Sequence, residues 1–385
     1  MTPKERFIAA LERKIPDRLP VTTHHVMPSF LHNYMNDASS QNFFNHFGLD
    51  PINWIMAFDY SPEKGEYFDP THTEMGFLEA RRVVSDNWQV NIDKLDNLLY
   101  PTTRFQITTP EKTLSMVLQS DQHSSWIKER LIKEKSDIDI VAKYMTWPKC
   151  KVEEINKAAD VYGTKGLIRG HIMAFEGFGQ PGCWQDAACL YGIENLIMAT
   201  FEDPAWVHAF LKILQERKKF YIESMQGAKY DILELGGGDA STTVISPDIF
   251  NEFVAPYDAL LIETAHKAGQ RIAYHTCGGM MPILEDIAAM KPDAMETFTP
   301  VDMGADVILG EAKKRIGDKV CMIGGFDQFH FFNGCSEEDV RKEVRRCFKE
   351  AGYNGGFILS PSDHFFDAEL NLIEAFADEA QKCIY

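Results

Sequence analysis

The amino-acid sequence predicts an α/β chain folded as a (β/α)8 barrel with an elaborated amino-terminal part. Three observations carry this reading. From about Gly163 onward, short apolar β-rich runs alternate with longer helix-patterned stretches, which argues for a parallel sheet. Several of those runs end in polar or glycine-rich text, as strands do on the functional rim of such a barrel. The 385 residues contain no Pro/Ser/Gly-rich linker and no short-period repeat, so residues 1–385 read as a single domain of a size that barrels with insertions reach.

Taken in order, "MTPKERFIAALERKIPDR" is an amphipathic charged helix rather than a signal peptide. "RLPVTTHH" reads as an early barrel strand that delivers His24 and His25. Successive strand residues point to opposite faces, so one of these two histidines is expected to face a pocket. Residues 65–120 alternate in polarity, as in "TEMGFLEARRVVS" and "KTLSMVLQS", and predict an antiparallel insertion on or beside the barrel mouth. The later strands are "GLIRGHIMAF", "YDILELGGG", "RIAYHTC", "DAMETF", "KVCMIGG" and "GGFILSP". Helices are expected at 247–268, 279–290, 304–316 and 336–352. Ser246, and Ser336 with Asp339, serve as helix-starting caps.

Composition narrows the function classes. A net charge of -18 makes nucleic acid and anionic membrane surfaces poor partners. No apolar stretch approaches the roughly 20 residues of a membrane-spanning helix. Eight scattered cysteines without a secretion signal read as reduced thiols in a cytoplasmic protein. Cys150, Cys183, Cys189, Cys321, Cys335, Cys347 and Cys383 are expected to pack rather than react.

Three strand ends carry chemistry. In "AYHTCGGM", His275 and Cys277 stand two apart at the end of a buried run and project to the same side. "LELGGGD" closes a strand with Glu234 and reaches Asp239 through three glycines, which permit close approach of a ligand or another backbone. "SPSDHFF" places Asp363 and His364 after the last strand. A parallel barrel brings such ends to one rim, where His275, Cys277 and a carboxylate or second imidazole would hold a zinc ion with one coordination position open, as in catalytic sites. Glu234 serves either as a pocket-lining partner or proton donor, or as a plain strand-end carboxylate; Asp239 and Glu296 share both readings. His171 and Glu176 flank a strand, and "GFGQPGCW" at 177–184 reads as a loop over the mouth.

From "MTPKERFIAALERKIPDRLPV" to the carboxyl terminus the chain resembles the uroporphyrinogen decarboxylase superfamily. The stretches that carry the likeness are "VISPDIFNEFVAPYDALLIETAHKAGQRIAYHTCGG", "KVCMIGGFDQFHFFNGCSEEDVRKEVRRCF" and "GGFILSPSDHFF". One branch of that superfamily decarboxylates porphyrinogens without a cofactor. The other comprises zinc-dependent, cobalamin-linked methyltransferases that use a His-x-Cys pair plus a later strand-end ligand, and His275 and Cys277 fall on that pair. The decarboxylase branch carries an arginine-rich "MRQAGR" segment near its start. This chain instead has "VTTHHVMPSFLHNYM" and no arginine between Arg18 and Arg81, which leaves no clamp for a substrate's carboxylates. The resemblance therefore implies methyl transfer.

Where the coenzyme M methyltransferases have a cysteine in text like "APGC", this chain has "SPSD", with Asp363 at that position and His364 next to it. A carboxylate or imidazole in place of thiolate leaves zinc more Lewis acidic, which suits a methyl ether or similar donor oxygen. This points to a methoxylated, aromatic or similar methyl donor, with alkyl ethers, methanol, methylthiols and methylamines left open. The donor's methyl would pass to the Co(I) of a corrinoid (O-demethylation). No D-x-H-x-x-G cobalamin motif is present, so the corrinoid is expected on a separate partner protein. The competing expectations are a methylcorrinoid:thiol methyltransferase, a uroporphyrinogen decarboxylase, and a non-catalytic barrel that binds a tetrapyrrole or corrinoid.

Overall fold

The computed structural model describes residues 1–71, 82–96, 98–174 and 180–385. The strands run in chain order as β1 (Ile52–Trp54), β2 (Phe58–Asp59), β3 (Glu66–Phe68), β4 (Val83–Ser85), β5 (Gln89–Leu95), β6 (Thr102–Thr108), β7 (Thr113–Ser120), β8 (Ser125–Glu129) and β9 (Lys149–Cys150). They continue as β10 (Leu167–His171), β11 (Ile232–Gly236), β12 (Ile272–His275), β13 (Ala294–Thr297), β14 (Cys321–Phe326) and β15 (Phe357–Pro361). Seven of them form one curled parallel sheet in the order β1-β10-β11-β12-β13-β14-β15. Every residue of β10 to β15 is buried, as expected of strands covered by helices outside and side chains inside.

The eighth position of the ring is a single bridge. Val21 pairs in parallel with Leu359 of β15, flanked by bonds from Thr22 N to Leu359 O and from Leu359 N to Pro20 O, both 2.9 Å. On its other side Val21 O accepts from Asp50 N at 2.7 Å, just before β1. "RLPVTTHH" thus supplies a barrel position but very little strand. One carboxylate holds this seam. Asp50 is 1% exposed and accepts from Arg6 at 2.5 Å, from two Arg18 nitrogens at 3.0 Å, and from the Val21 amide at 3.1 Å.

The helix starts follow the caps. Ser336 and Asp339 form a reciprocal capping box, and Ser246 accepts from Ile249 N. Two expected helices are shorter. The one in 279–290 begins with a 3-10 turn and is α-helical over Leu284–Ala289, because the Met280 and Met281 amides are taken by Asp306. The one in 304–316 starts at Leu309, because Gly304 ends the preceding turn with φ 88°. Among the described residues no helix is long and apolar enough to cross a membrane.

Of the alternating amino-terminal stretch, residues 72–81, and with them most of "TEMGFLEARRVVS", lie outside the described residues. The rest pairs β3 with β4 antiparallel and forms a four-stranded antiparallel sheet in the order β5-β6-β7-β8. The β7-β8 turn, Asp121 to Ser124, reaches the barrel's carboxyl rim, where it lines a cavity together with His25 and His364.

Asp50→Ala removes the carboxylate that holds Arg6, Arg18 and the Val21 amide, leaving buried donors without an acceptor. It should lower unfolding stability by about 3–5 kcal/mol, read as a shift of the urea midpoint. An unchanged midpoint would mean that the seam is held otherwise.

Candidate functional site at the barrel mouth

Neighbouring strands place the central residues in register. His275, the last residue of β12, pairs with Glu296 of β13 on one side and Gly236 of β11 on the other. Gly236 adopts φ +107°, and a Cβ there would lie 2.3 Å from the His275 carbonyl. The first glycine of "LELGGGD" is thus needed where the strand ends press together.

An ion-paired cluster fills the barrel below this rim. Arg169 of β10 donates from one nitrogen to Glu234 Oε2 at 3.0 Å and to Glu296 Oε1, and its guanidinium lies 4.6 Å from the Trp54 ring centre. The side chains are 1–2% exposed. Burial works to push the Glu296 carboxyl up, but the Arg169 charge and the His275 hydrogen bond outweigh it and hold the group at about 2. Burial raises the Glu234 carboxyl above its ordinary value, against the pull of His275 and Arg169. His275 Nδ1 donates to the ionised Glu296 at 3.2 Å and lies 3.7 Å from Glu234. Burial opposes charge on His275, but Glu234, the Cys277 thiol and Glu296 together raise it well above the ordinary imidazole value.

Both early histidines come to the site, against the expectation that alternation admits one. Val21 is the only paired residue of that segment, so Thr22 and Thr23 no longer follow strand geometry. His24 goes down, with its nitrogens 3.4 Å from Glu234 and 3.6 Å from Glu296. His25 stays above, stacked on Trp54 and His364 with ring centres 4.5 and 5.0 Å apart. Burial drives both well below the ordinary value, helped by Arg169 at His24 and by His24 at His25. They are therefore neutral, the form that ligates metals.

The structure divides the sequence-derived residues into two tiers. In the upper tier, the Cys277 thiol contacts His275 and lies 3.9 Å from Gln180 Nε2. Asp363 feels the His275 charge, and its Oδ1 accepts from His364 N at 2.7 Å and lies 3.1 Å from His364 Nδ1. In the lower tier, His24, Glu234, His275 and Glu296 offer ligand atoms all within 4.8 Å of one another. His275 belongs to both. Asp239 binds Gln185 instead. His171 is buried, donates from Nδ1 to Ile172 O at 2.8 Å, and is pushed down to about 4 by burial. Glu176 and residues 177–179 lie outside the described residues. Of the cysteines expected to pack, Cys189 and Cys335 are partly exposed, and Cys189 lines the cavity.

The donor set fits a zinc ion. A buried imidazole whose Nδ1 is held by a carboxylate keeps Nε2 for a metal, the usual arrangement of zinc-binding histidines. The Cys277 thiol contacts it. Asp363 and His364 bond to each other and do not join its ligand cluster, which among the described residues is His24, Glu234, His275 and Glu296. Arg169 already supplies the counter-charge of Glu234 and Glu296, which favours the upper tier. Above it opens a cavity of about 760 Å³, within the usual range for small-molecule sites. Its lining includes His25, His364, Gln180, Gln185, Trp126 and Arg130.

Arg169 is the residue that the sequence reading missed. Its signal is one charged residue inside the apolar run "GLIRGHIMAF". Arg169→Met would strand two buried carboxylates and should cost about 3–5 kcal/mol of stability. Adding Glu234→Gln and Glu296→Gln should recover most of that loss in a denaturant titration. No loss in the single variant would contradict the ion-paired reading.

The family model described as uroporphyrinogen decarboxylase (URO-D) matches residues 174–382, more than half of the chain. A uroporphyrinogen decarboxylase from Chlorobaculum tepidum is 22% identical over 187 residues, 48% of this chain and 49% of that protein. One from Bordetella parapertussis is 29% identical over 39% of this chain and 40% of its own length. A methylated-thiol–coenzyme M methyltransferase from Methanosarcina mazei is 25% identical over 53% of each. The chain thus spans about half the length of the curated relatives it matches. Among solved structures, a methyltransferase from Methanosarcina mazei covers 99% of both chains with a TM-score of 0.64 at 15% identity, a likeness of fold. On the strength of the family match over its carboxyl-terminal half, the chain belongs to the uroporphyrinogen decarboxylase family.

Proposed function

We propose that the protein is a methyltransferase that takes a methyl group from a methoxylated, aromatic donor and passes it to the Co(I) of a corrinoid carried by a separate protein. The observation that supports this reading is the Cys277 thiol against His275, beside a cavity large enough for a small molecule and lined by His364. His275 and Cys277 would hold zinc with a third ligand from Asp363 or His364. Zinc bound there would supply a Lewis acid for the donor's heteroatom as the methyl leaves.

The chain's own residues would do the rest. Glu296 orients His275 and fixes its tautomer. Glu234, raised by burial, lies 3.4 Å from His24 and 3.7 Å from His275 and would exchange a proton with either. The cavity walls position the donor and exclude water, which is where orientation contributes to rate.

Decarboxylation of a porphyrinogen fits poorly. The deep cation, Arg169, is committed to two carboxylates, which leaves no uncommitted charge at the floor for a substrate bearing several more. The methylcorrinoid:thiol reading draws support from the Methanosarcina relative, whose name specifies a methylated thiol. Asp363 at the position of a third thiolate weighs against it.

Metal analysis of the purified protein should find one zinc per chain. Cys277→Ala and His275→Ala should each empty the site while the fold stays cooperative; full occupancy in Cys277→Ala would refute the assignment. Asp363→Ala and His364→Ala, compared side by side, identify the third ligand. With Co(I) cobalamin and a methoxylated aromatic, the zinc form should generate the methylcobalamin spectrum, and the chelated form should not. Demethylation of methylcobalamin by a thiol as the sole activity would reverse the proposed direction. Saturable turnover of uroporphyrinogen would overturn the reading altogether.

A further inference from the structure

The cavity over the site has a charged wall that the proposed chemistry leaves unused. Arg130 follows β8 and is half-buried in that wall. One of its nitrogens donates to the Cys189 carbonyl at 3.1 Å, and no carboxylate of the described residues forms an ion pair with it. Asp239 senses Arg130 but receives its hydrogen bond from Gln185. In a chain with 57 acidic and 39 basic residues, a guanidinium left without a counter-ion inside a cavity is unusual. Its planar fork suits a carboxylate or sulfonate, which it can grip through two parallel bonds.

The surroundings give the cavity a direction. Gln180 of the lining reaches the Cys277 thiol at 3.9 Å, and His25 and His364 stack on each other in the same lining. Among the described residues Arg130 is the one guanidinium in the lining, and Asp121 the one carboxylate, so an anion would be attracted at Arg130. Trp126 and Phe366, also in the lining, offer apolar surface to the body of a ligand. We infer that the small-molecule substrate carries an anionic head group, carboxylate or sulfonate, which Arg130 holds at the outer wall while the uncharged, methyl-bearing or methyl-accepting end points inward to Cys277 and His364.

This inference rests on the proposed function for what the inward end does, but the anion seat is tested by binding alone. Calorimetric titration of the full chain should show 3-methoxybenzoate binding at least about tenfold more tightly than its neutral analogue 3-methoxybenzamide, the usual scale for one charge-assisted contact. Arg130→Gln should erase that difference and leave the benzamide affinity unchanged, and Arg130→Lys should restore part of it. Arg130 makes a single hydrogen bond to the fold, so an unchanged thermal midpoint in both variants shows that they are folded. The same series with 2-mercaptoethanesulfonate separates the two anions: an Arg130-dependent gain for the sulfonate alone supports the seat and assigns it to a thiol substrate. Equal affinity of the parent and Arg130→Gln for both anions overturns the inference, as does an effect confined to free cobalamin, whose own phosphate would then be the ligand. Arg130-dependent binding that survives chelation, in a protein that never forms methylcobalamin, would sink the proposed function and leave the anion seat standing.

Discussion

The centre of this barrel is organised by one guanidinium between two carboxylates. Arg169, Glu234 and Glu296 come from three different strands, and all three side chains are nearly inaccessible. Burying three charges is costly unless they compensate one another, so the strands that carry them must keep one relative height. That height also sets the site. With Glu296 ionised by Arg169, His275 has a fixed acceptor for Nδ1, which leaves its other nitrogen uncommitted to that carboxylate. The orientation of the candidate ligand is thus a consequence of electrostatics two strands away.

The same cluster sorts ligands by charge. Arg169 stands against the two carboxylates, and so does the His275 imidazole, which they help to raise well above its ordinary value. His24 and His25, kept neutral by burial and by their positive neighbours, add no charge. The floor thus has no uncommitted cation for a polyanionic molecule, whereas a neutral ether or thioether end needs none. Membership of the decarboxylase family describes the scaffold; the charge of the floor is what separates the possible chemistries on it.

Much of the barrel was legible because its signals are local. Apolar runs of five or six residues bounded by glycine marked β10 to β15, and Ser336 with Asp339 announced a helix start that the structure realises as a capping box. His275 and Cys277 were visible from their spacing. What escaped depends on contacts distant in sequence. β1 is three residues long, too short for a period to register. The eighth strand is reduced to Val21, because Asp50 and two arginines supply the closure that a longer ladder would otherwise give. The rule that alternate residues diverge failed at His24 and His25 for the same reason: the ladder ends before them.

Arg169 shows the deeper limit. An arginine within an apolar run reads locally as a flaw in the strand, and only the barrel's closure brings Glu234 and Glu296, 65 and 127 residues further on, to its nitrogens. Before that closure the residue is unfavourable, and after it the residue is indispensable to two acids. Arg130 has the opposite history. The antiparallel insertion carries it to the cavity wall, where no carboxylate of the described residues forms an ion pair with it. The two arginines therefore divide the interior by function: the inner one is neutralised and builds the floor, and the outer one keeps its charge for whatever enters.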